Sequence, residues 1–173
     1  MLVYLQMLDT PEDQSKFEQL YRTYRGLMFH VAKRILNHDS DAEDAVHQAF
    51  LSIINHFEKI SEVTCPKTQA FVVIIVERKA IDIYRANLRQ TALPLDEELY
   101  GITVTIPEES EIVSAIERLP ARYREVLLLR FKLGFTTKEI GQLFEMSPKS
   151  VQRLLWRAKD SLRKALEKDG VEE

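Results

Sequence analysis

The 173 residues suffice for one medium domain or two small ones. Hydrophobic residues make up 45% and charged residues 29%, the profile of a soluble globular chain, and a net charge of −3 argues against an indiscriminate nucleic-acid binder. No apolar run approaches the ~20 residues a membrane helix needs, and the most apolar stretch, Phe71 to Val76, is far too short, so membrane insertion is not expected.

The chain opens with MLVYLQMLDTPEDQ, which is apolar but lacks a basic flank and soon turns acidic. It does not read as a signal peptide, and a cytoplasmic protein is the expectation. Thr10 can cap a first helix that begins with Pro11 and runs to about Leu36. Phe17, Leu20, Tyr21, Tyr24, Leu27, Met28, Val31, Ala32 and Ile35 recur along it at three- and four-residue spacing. Gly26 is a place where this helix could break in two. After the turn Asn37-His38-Asp39, Ser40 and Glu43 form a capping-box pattern. A second helix follows to about Phe57, with Ala42, Ala45, Val46, Ala49, Phe50, Ile53 and Ile54 inward. A loop spans Glu58 to Pro66. A third helix covers about Lys67 to Arg89; its first half is apolar nearly all round and reads as buried, and its second half carries Arg78, Lys79, Arg85 and Arg89.

Residues 90–109 hold two prolines, a glycine and the acidic residues Asp96, Glu97, Glu98, Glu108 and Glu109. They read as a flexible linker and domain boundary. The β-like run Ile102 to Ile106 has nothing to pair with. Beyond it, helices are expected over about Ser110–Arg118 and Pro120–Phe131, with Gly134 ending the connection. Thr136 with Glu139 is another capping box and opens a short helix to Phe144. Glu145-Met146-Ser147 is a tight turn. Ser147 then caps a last helix, with Pro148 at its first position, that continues to about Lys168. The fold class is therefore all-α: two small helical domains, at 11–89 and 110–168, joined by a flexible linker.

The segment Thr136 to Lys159 reads as a helix-turn-helix. Val151, Leu154, Leu155, Ala158 and Leu162 cluster on one side of the last helix at about 100° per residue. Lys149, Gln152, Arg153, Trp156, Arg157, Arg163 and Lys164 are left outside. A helix with one apolar and one basic face can enter the DNA major groove by its N-terminal end. Gln152 and Arg153 can reach base edges; Lys149, Arg157 and Lys159 suit phosphates, as does Ser150 with the helix N-terminus. On its basic face alone the helix would better fit an ordinary bundle. The two caps, the three-residue turn and the short-then-long helix pair favour DNA. Trp156 fits either a DNA contact or a partly buried packing position.

Leu119-Pro120-Ala121-Arg122-Tyr123-Arg124-Glu125-Val126-Leu127-Leu128-Leu129-Arg130-Phe131, then Gly134-Phe135-Thr136, Lys138-Glu139-Ile140-Gly141 and the tail Ser147 to Leu166, resemble the C-terminal domain of extracytoplasmic-function sigma factors of bacterial RNA polymerase. Asp41-Ala42-Glu43-Asp44-Ala45-Val46-His47-Gln48-Ala49-Phe50-Leu51 is similar to the helix by which that family docks on core polymerase. Ala80-Ile81-Asp82-Ile83-Tyr84-Arg85 is similar to the end of its helix at the −10 promoter element. The resemblance covers roughly residues 11–168 in the family's order. It implies an alternative sigma factor that binds core RNA polymerase and promoter DNA, and it leaves room for an anti-sigma factor as a separate partner.

The resemblance implies −35 contacts from Thr137, Lys138, Lys149, Ser150, Gln152, Arg153, Trp156, Arg157 and Lys159. It implies polymerase contacts from Asp41, Glu43, Asp44, Gln48 and Leu51, an acidic face suited to a basic partner, although an acidic first turn also complements the helix dipole. For the −10 element it implies a base-capturing loop between Asn55 and Lys67, with Asn55, Ser61 and Thr64 as polar candidates, and phosphate contacts from Lys67, Arg78, Lys79, Arg85 and Arg89. The sequence departs from the family at two places. Glu77 and Arg78 stand where an Arg-Asn pair is usual, and Leu154 stands where a basic residue is common.

Other function classes leave little trace. No nucleophile-base set, P-loop or metal-ligand cluster is present, so no enzyme, cofactor or metal is expected. Cys65 is the only cysteine, which excludes an internal disulfide and a CxxC metal site. The four histidines, His30, His38, His47 and His56, form no ligand pattern. Glu77 and Asp82, five apart beside basic residues, look structural rather than nucleolytic. A stand-alone dimeric regulator remains an alternative for the helix-turn-helix, but nothing marks a dimer helix, and an obligate homo-oligomer is not expected. A polymerase adaptor that has lost promoter melting is the other alternative, on account of Glu77.

Overall fold

The computed structural model describes residues 1–91 and 111–169, and all secondary structure within them is helical. The chain divides into two compact units, Met1–Tyr100 and Gly101–Glu173. The connector expected at 90–109, including the β-like run, lies outside the described residues except for its first two positions. These belong to the end of the preceding helix.

In the first unit, α2 (Pro11–Ile35), α3 (Asp39–Ile54) and α4 (Pro66–Thr91) pack pairwise into a three-helix bundle. The Thr10 hydroxyl accepts a bond from the Asp13 backbone N–H at 3.1 Å, with Pro11 in the first turn, so the expected cap is present. Gly26 does not interrupt α2. The Phe17–Ile35 stripe faces the core: Phe17, Leu20 and Met28 of α2 and Phe50 and Ile53 of α3 are fully buried, and the Phe17 ring meets that of Phe50 edge-on.

Two local expectations are corrected. Ser40 does not cap α3: the helix begins at Asp39, after His38, two residues earlier than a Ser40 cap would place it, and has no side-chain cap. Its first turn carries Asp39 and Asp41, which complement the helix dipole; Asp39 is paired to Lys33 at 2.6 Å and, one turn on, Glu43 to Arg25 at 3.0 Å. The segment after α3 is not all loop, because a 3₁₀ turn covers Phe57–Lys59.

A short helix, α1 (Leu2–Leu5), precedes the expected first helix and packs on α3. Gln14 holds it by donating to the Leu5 and Leu8 carbonyl oxygens at 3.1 and 3.2 Å, which satisfies helix-end acceptors. Tyr4 is buried with its ring against Phe17, Tyr21, His47 and Phe50.

In the second unit, α5 (Glu111–Glu117), α6 (Ala121–Leu127) and α7 (Thr137–Phe144) pack on α8 (Pro148–Asp169). The helix expected to reach Phe131 changes character at Leu128, where a π-helical turn spans Leu128–Lys132. Gly134 closes it at φ +74°, a left-handed conformation that glycine adopts without steric cost. Among the described residues no helix is long and apolar enough to cross a membrane.

Candidate nucleic-acid interface

The helix-turn-helix is built as its sequence dictates. Thr136 Oγ1 accepts from the Glu139 N–H at 3.2 Å, and the Glu139 carboxylate accepts from the Thr136 N–H at 2.7 Å, so the capping box is complete. α7 stops at Glu145, which takes the left-handed conformation at φ 53°. The Met146 N–H donates to the Gly141 carbonyl at 2.8 Å. Gly141 has no room for a larger residue, since a Cβ there would lie 2.6 Å from the Met146 carbonyl oxygen. Ser147 Oγ then accepts from the Ser150 N–H at 3.2 Å and opens α8.

Val151, Leu154, Leu155 and Ala158 are buried on the inner face of α8. Leu154 therefore belongs to the core, which accounts for an apolar residue at that departure from the family pattern. Lys149, Gln152, Arg153, Trp156, Arg157 and Lys159 are all exposed. Trp156, open to two roles from sequence, is 70% exposed and is no packing residue within the described structure. Among the described residues, Lys149, Arg153 and Arg157 form no ion pair, whereas Arg163 and Lys164 both bind Asp160, at 2.9 and 2.8 Å. Positive charge is thus left open toward the N-terminal half of α8 and quenched toward its end. Lys138 is exposed and Thr137 half-buried in the first turn of α7; Ser150 is half-buried beside Ser147. Lys159 stands over the exposed ring of Phe131, a residue that the sequence pattern did not connect to this surface.

In the first unit, Asp41, Asp44, Gln48 and Leu51 follow one another at helical spacing along one strip of α3. Asp44 and Gln48 are exposed, and Asp41 and Leu51 half-buried. Asp41 accepts a bond from Asn87 of α4 at 3.0 Å. Glu43 lies to one side of the strip, engaged with Arg25.

On α4, Arg89 and Lys67 are exposed and Lys79 and Arg85 half-buried. Arg78 is a correction. It was expected to face phosphate, yet it is only 5% exposed, because its turn ends the stretch Phe71–Arg78 that is buried throughout. Glu77 is 0% exposed, so its carboxylate is turned away from any DNA lying on the surface.

The loop before α4 is held from below. The Tyr24 hydroxyl donates to the Val63 carbonyl oxygen at 2.7 Å, and the Lys16 ammonium donates to that of Ile60. Burial, and the Cys65 thiol nearby, raise the Tyr24 hydroxyl above the ordinary phenol range and keep it a donor. The Thr68 hydroxyl donates to the Glu62 carbonyl oxygen at 2.5 Å. Ile60 and Val63 point inward, leaving Ser61, Glu62 and Thr64 exposed beside Lys67. Asn55 is exposed at the end of α3. Sequence reasoning missed Lys16, Tyr24 and Thr68. Tyr24 reads as one more member of the apolar stripe, and spacing carries no signal for where its hydroxyl goes.

Comparison with known proteins agrees with this layout. Residues 20–90 match the family model for sigma-70 region 2, and residues 109–162 match that for sigma-70 region 4. The ECF RNA polymerase sigma factor ShbA of Streptomyces griseus is 31% identical over 133 residues, covering 70% of this chain and 69% of that protein. The ECF RNA polymerase sigma factor SigX of Bacillus subtilis is 23% identical over 167 residues, covering 89% of this chain and 85% of its own. Among solved structures, the sigma factor RpoE in complex with the anti-sigma factor NepR from Bartonella quintana shares 15% identity at a TM-score of 0.40, over 87% of this chain and 96% of that one. The chain belongs to the ECF family of RNA polymerase sigma factors, and it is an alternative sigma factor that directs core polymerase to promoters.

Proposed function

We propose that this sigma factor reads promoters through two surfaces and docks on core polymerase through a third. The exposed face of α8, with Lys149, Gln152, Arg153, Trp156, Arg157 and Lys159, takes the −35 element in the major groove, helped by Thr137, Lys138 and Ser150. Gln152 and Arg153 read base edges and the lysines fix register on phosphates. The loop from Asn55 to Lys67 takes an unstacked base of the −10 element, with Lys67, Lys79, Arg85 and Arg89 along the strand. The strip Asp41-Asp44-Gln48-Leu51 on α3, flanked by Glu43, docks on a basic surface of core polymerase. The protein acts in the cytoplasm, where that enzyme is, and brings no catalysis of its own.

The observation that carries this reading is the open charge on α8: Lys149, Arg153 and Arg157 point outward around an exposed Trp156 on a helix whose opposite face is buried at Val151, Leu154, Leu155 and Ala158. An acidic chain with few base contacts in each unit binds promoters weakly alone. Polymerase holds both contacts in register and so raises their effective concentration.

The test is a base-substitution series across the −35 element, assayed with holoenzyme. Arg153→Ala should flatten the preference at one position by about 1–3 kcal/mol. Lys149→Ala should weaken all sequences alike and reduce the salt dependence by about one counterion. Unchanged profiles for both variants would remove α8 from promoter reading.

A further inference from the structure

We infer that Glu62 is a specificity-determining residue for the unpaired base, and that Tyr24 and Thr68 are its positioning residues. The inference rests on the loop before α4 being the −10 base-capturing loop.

Flexible loops read bases poorly, since ordering them on binding costs free energy for each immobilised residue. This one is ordered beforehand. Its carbonyl oxygens at Ile60, Glu62 and Val63 are bonded to side chains of α2 and α4. The Glu62 carbonyl is the most constrained of them, because it accepts from Thr68 at 2.5 Å and also from the Cys65 thiol at 3.3 Å. With that backbone gripped and Ile60 and Val63 buried, the Glu62 side chain is held out on the exposed side of the loop.

Charge completes the picture. Glu62 is the only charged residue between Ile60 and Cys65, and the exposed Lys59 and Lys67 bracket it. Lysines at the two ends suit the phosphates on either side of a flipped nucleotide. A carboxylate between them suits the base, because it repels phosphate and accepts only hydrogen bonds. Such an acceptor selects a base edge rich in N–H groups. Guanine offers two adjacent donors, and cytosine and adenine each offer an amino group. Thymine offers one N–H between two carbonyl oxygens and is disfavoured. Ser61 and Thr64, which both donate and accept, add affinity with little discrimination.

Holoenzyme is titrated with a promoter fragment whose non-template strand is unpaired across the −10 element, each unpaired position carrying each base in turn. At one position the wild type should disfavour thymine by about fivefold or more. Glu62→Gln, whose amide also donates, should bring that ratio close to one. Tyr24→Phe keeps the ring and removes the anchor; it should lower the ratio severalfold while polymerase affinity and the −35 profile stay as in wild type. A variant that merely loosened the fold would weaken all four bases alike, and the thermal midpoint is recorded alongside. A wild-type base profile in Glu62→Gln, or no base preference in the wild type, overturns the inference. The triple variant Ser61→Ala, Glu62→Ala, Thr64→Ala separates the underlying reading. If it binds the unpaired strand as tightly as wild type, the loop is not the capture site.

Discussion

The Lys159 ammonium lies 4.9 Å from the centroid of the Phe131 ring, so a side chain of the π-helical turn supports a cation on the exposed face of α8. Phe131 is 61% exposed, and its ring face orients Lys159 rather than filling the core. Phe131→Ala should therefore cost the fold about 0.5–1 kcal/mol and weaken promoter binding through Lys159. In a double-mutant cycle with Lys159→Ala the two DNA-binding losses should overlap and not add. Additive losses would mean that the two residues act separately.

Trp156 and Leu154, two positions apart on α8, should behave oppositely. Trp156 is exposed and Leu154 buried. Trp156→Ala should change stability by no more than about 0.5 kcal/mol and still weaken binding to −35 duplex. Leu154→Ala should destabilise the second unit by about 2–5 kcal/mol. Urea titration and fluorescence binding on both variants measure the contrast.

Gly141 should tolerate no side chain. A methyl group there would meet the backbone of the turn, which cannot swing aside as a flexible side chain could. Gly141→Ala should cost about 1–3 kcal/mol and reduce −35 binding, with polymerase docking through the first unit unaffected. Thermal unfolding and a polymerase pull-down check both parts.

Tyr4 ties α1 to the bundle, with its hydroxyl 2.5 Å from His47 Nδ1. Tyr4→Phe removes that bond and should cost about 0.5–1.5 kcal/mol. Tyr4→Ala also empties the space among Phe17, Tyr21 and Phe50 and should cost about 3–5 kcal/mol. Chemical denaturation that reports equal losses for the two would contradict the aromatic packing described for α1.

Cys65 should ionise more readily than an ordinary thiol. Burial pushes its pKa up, but the hydrogen bond shared with the Thr68 hydroxyl and those from the Thr68 and Lys67 backbone N–H groups outweigh it, and the net shift is downward. The thiolate is therefore populated at lower pH, and alkylation should accelerate at lower pH than for a cysteine in the unfolded chain. Thr68→Val removes one of these bonds and should move the profile back up. Mass spectrometry of iodoacetamide-treated protein across pH gives the measurement.

The helices were legible because their apolar residues repeat at the helical period and their ends carry Thr10, Thr136 and Ser147 as caps. Ser40 misled because the same residue pattern is a cap only if the chain turns at that residue. Here the chain turns at His38, so Ser40 already lies inside the helix, while Asp39 and Glu43 pair with Lys33 and Arg25. On α8 the division into faces could be read directly, since one side is wholly apolar. On α4 it could not. A basic residue after a buried run reads as exposed, yet Arg78 lies inside and Lys79 at the surface's edge. The loop anchors were illegible for a different reason. Tyr24 reaches Val63 across 39 residues of sequence, and a hydrogen bond to a backbone carbonyl leaves no trace in residue type at the acceptor.

This chain turns core polymerase into a promoter-selective enzyme, and transcription with the reconstituted holoenzyme tests that most directly. Purified protein is mixed with bacterial core RNA polymerase and a pool of host promoter fragments, and the transcripts are sequenced. New start sites that share two spaced elements are expected, lost with Arg153→Ala at the upstream element and with the triple loop variant at the downstream one. Polymerase that fails to bind the chain, or that binds it and yields no new start sites, would contradict it.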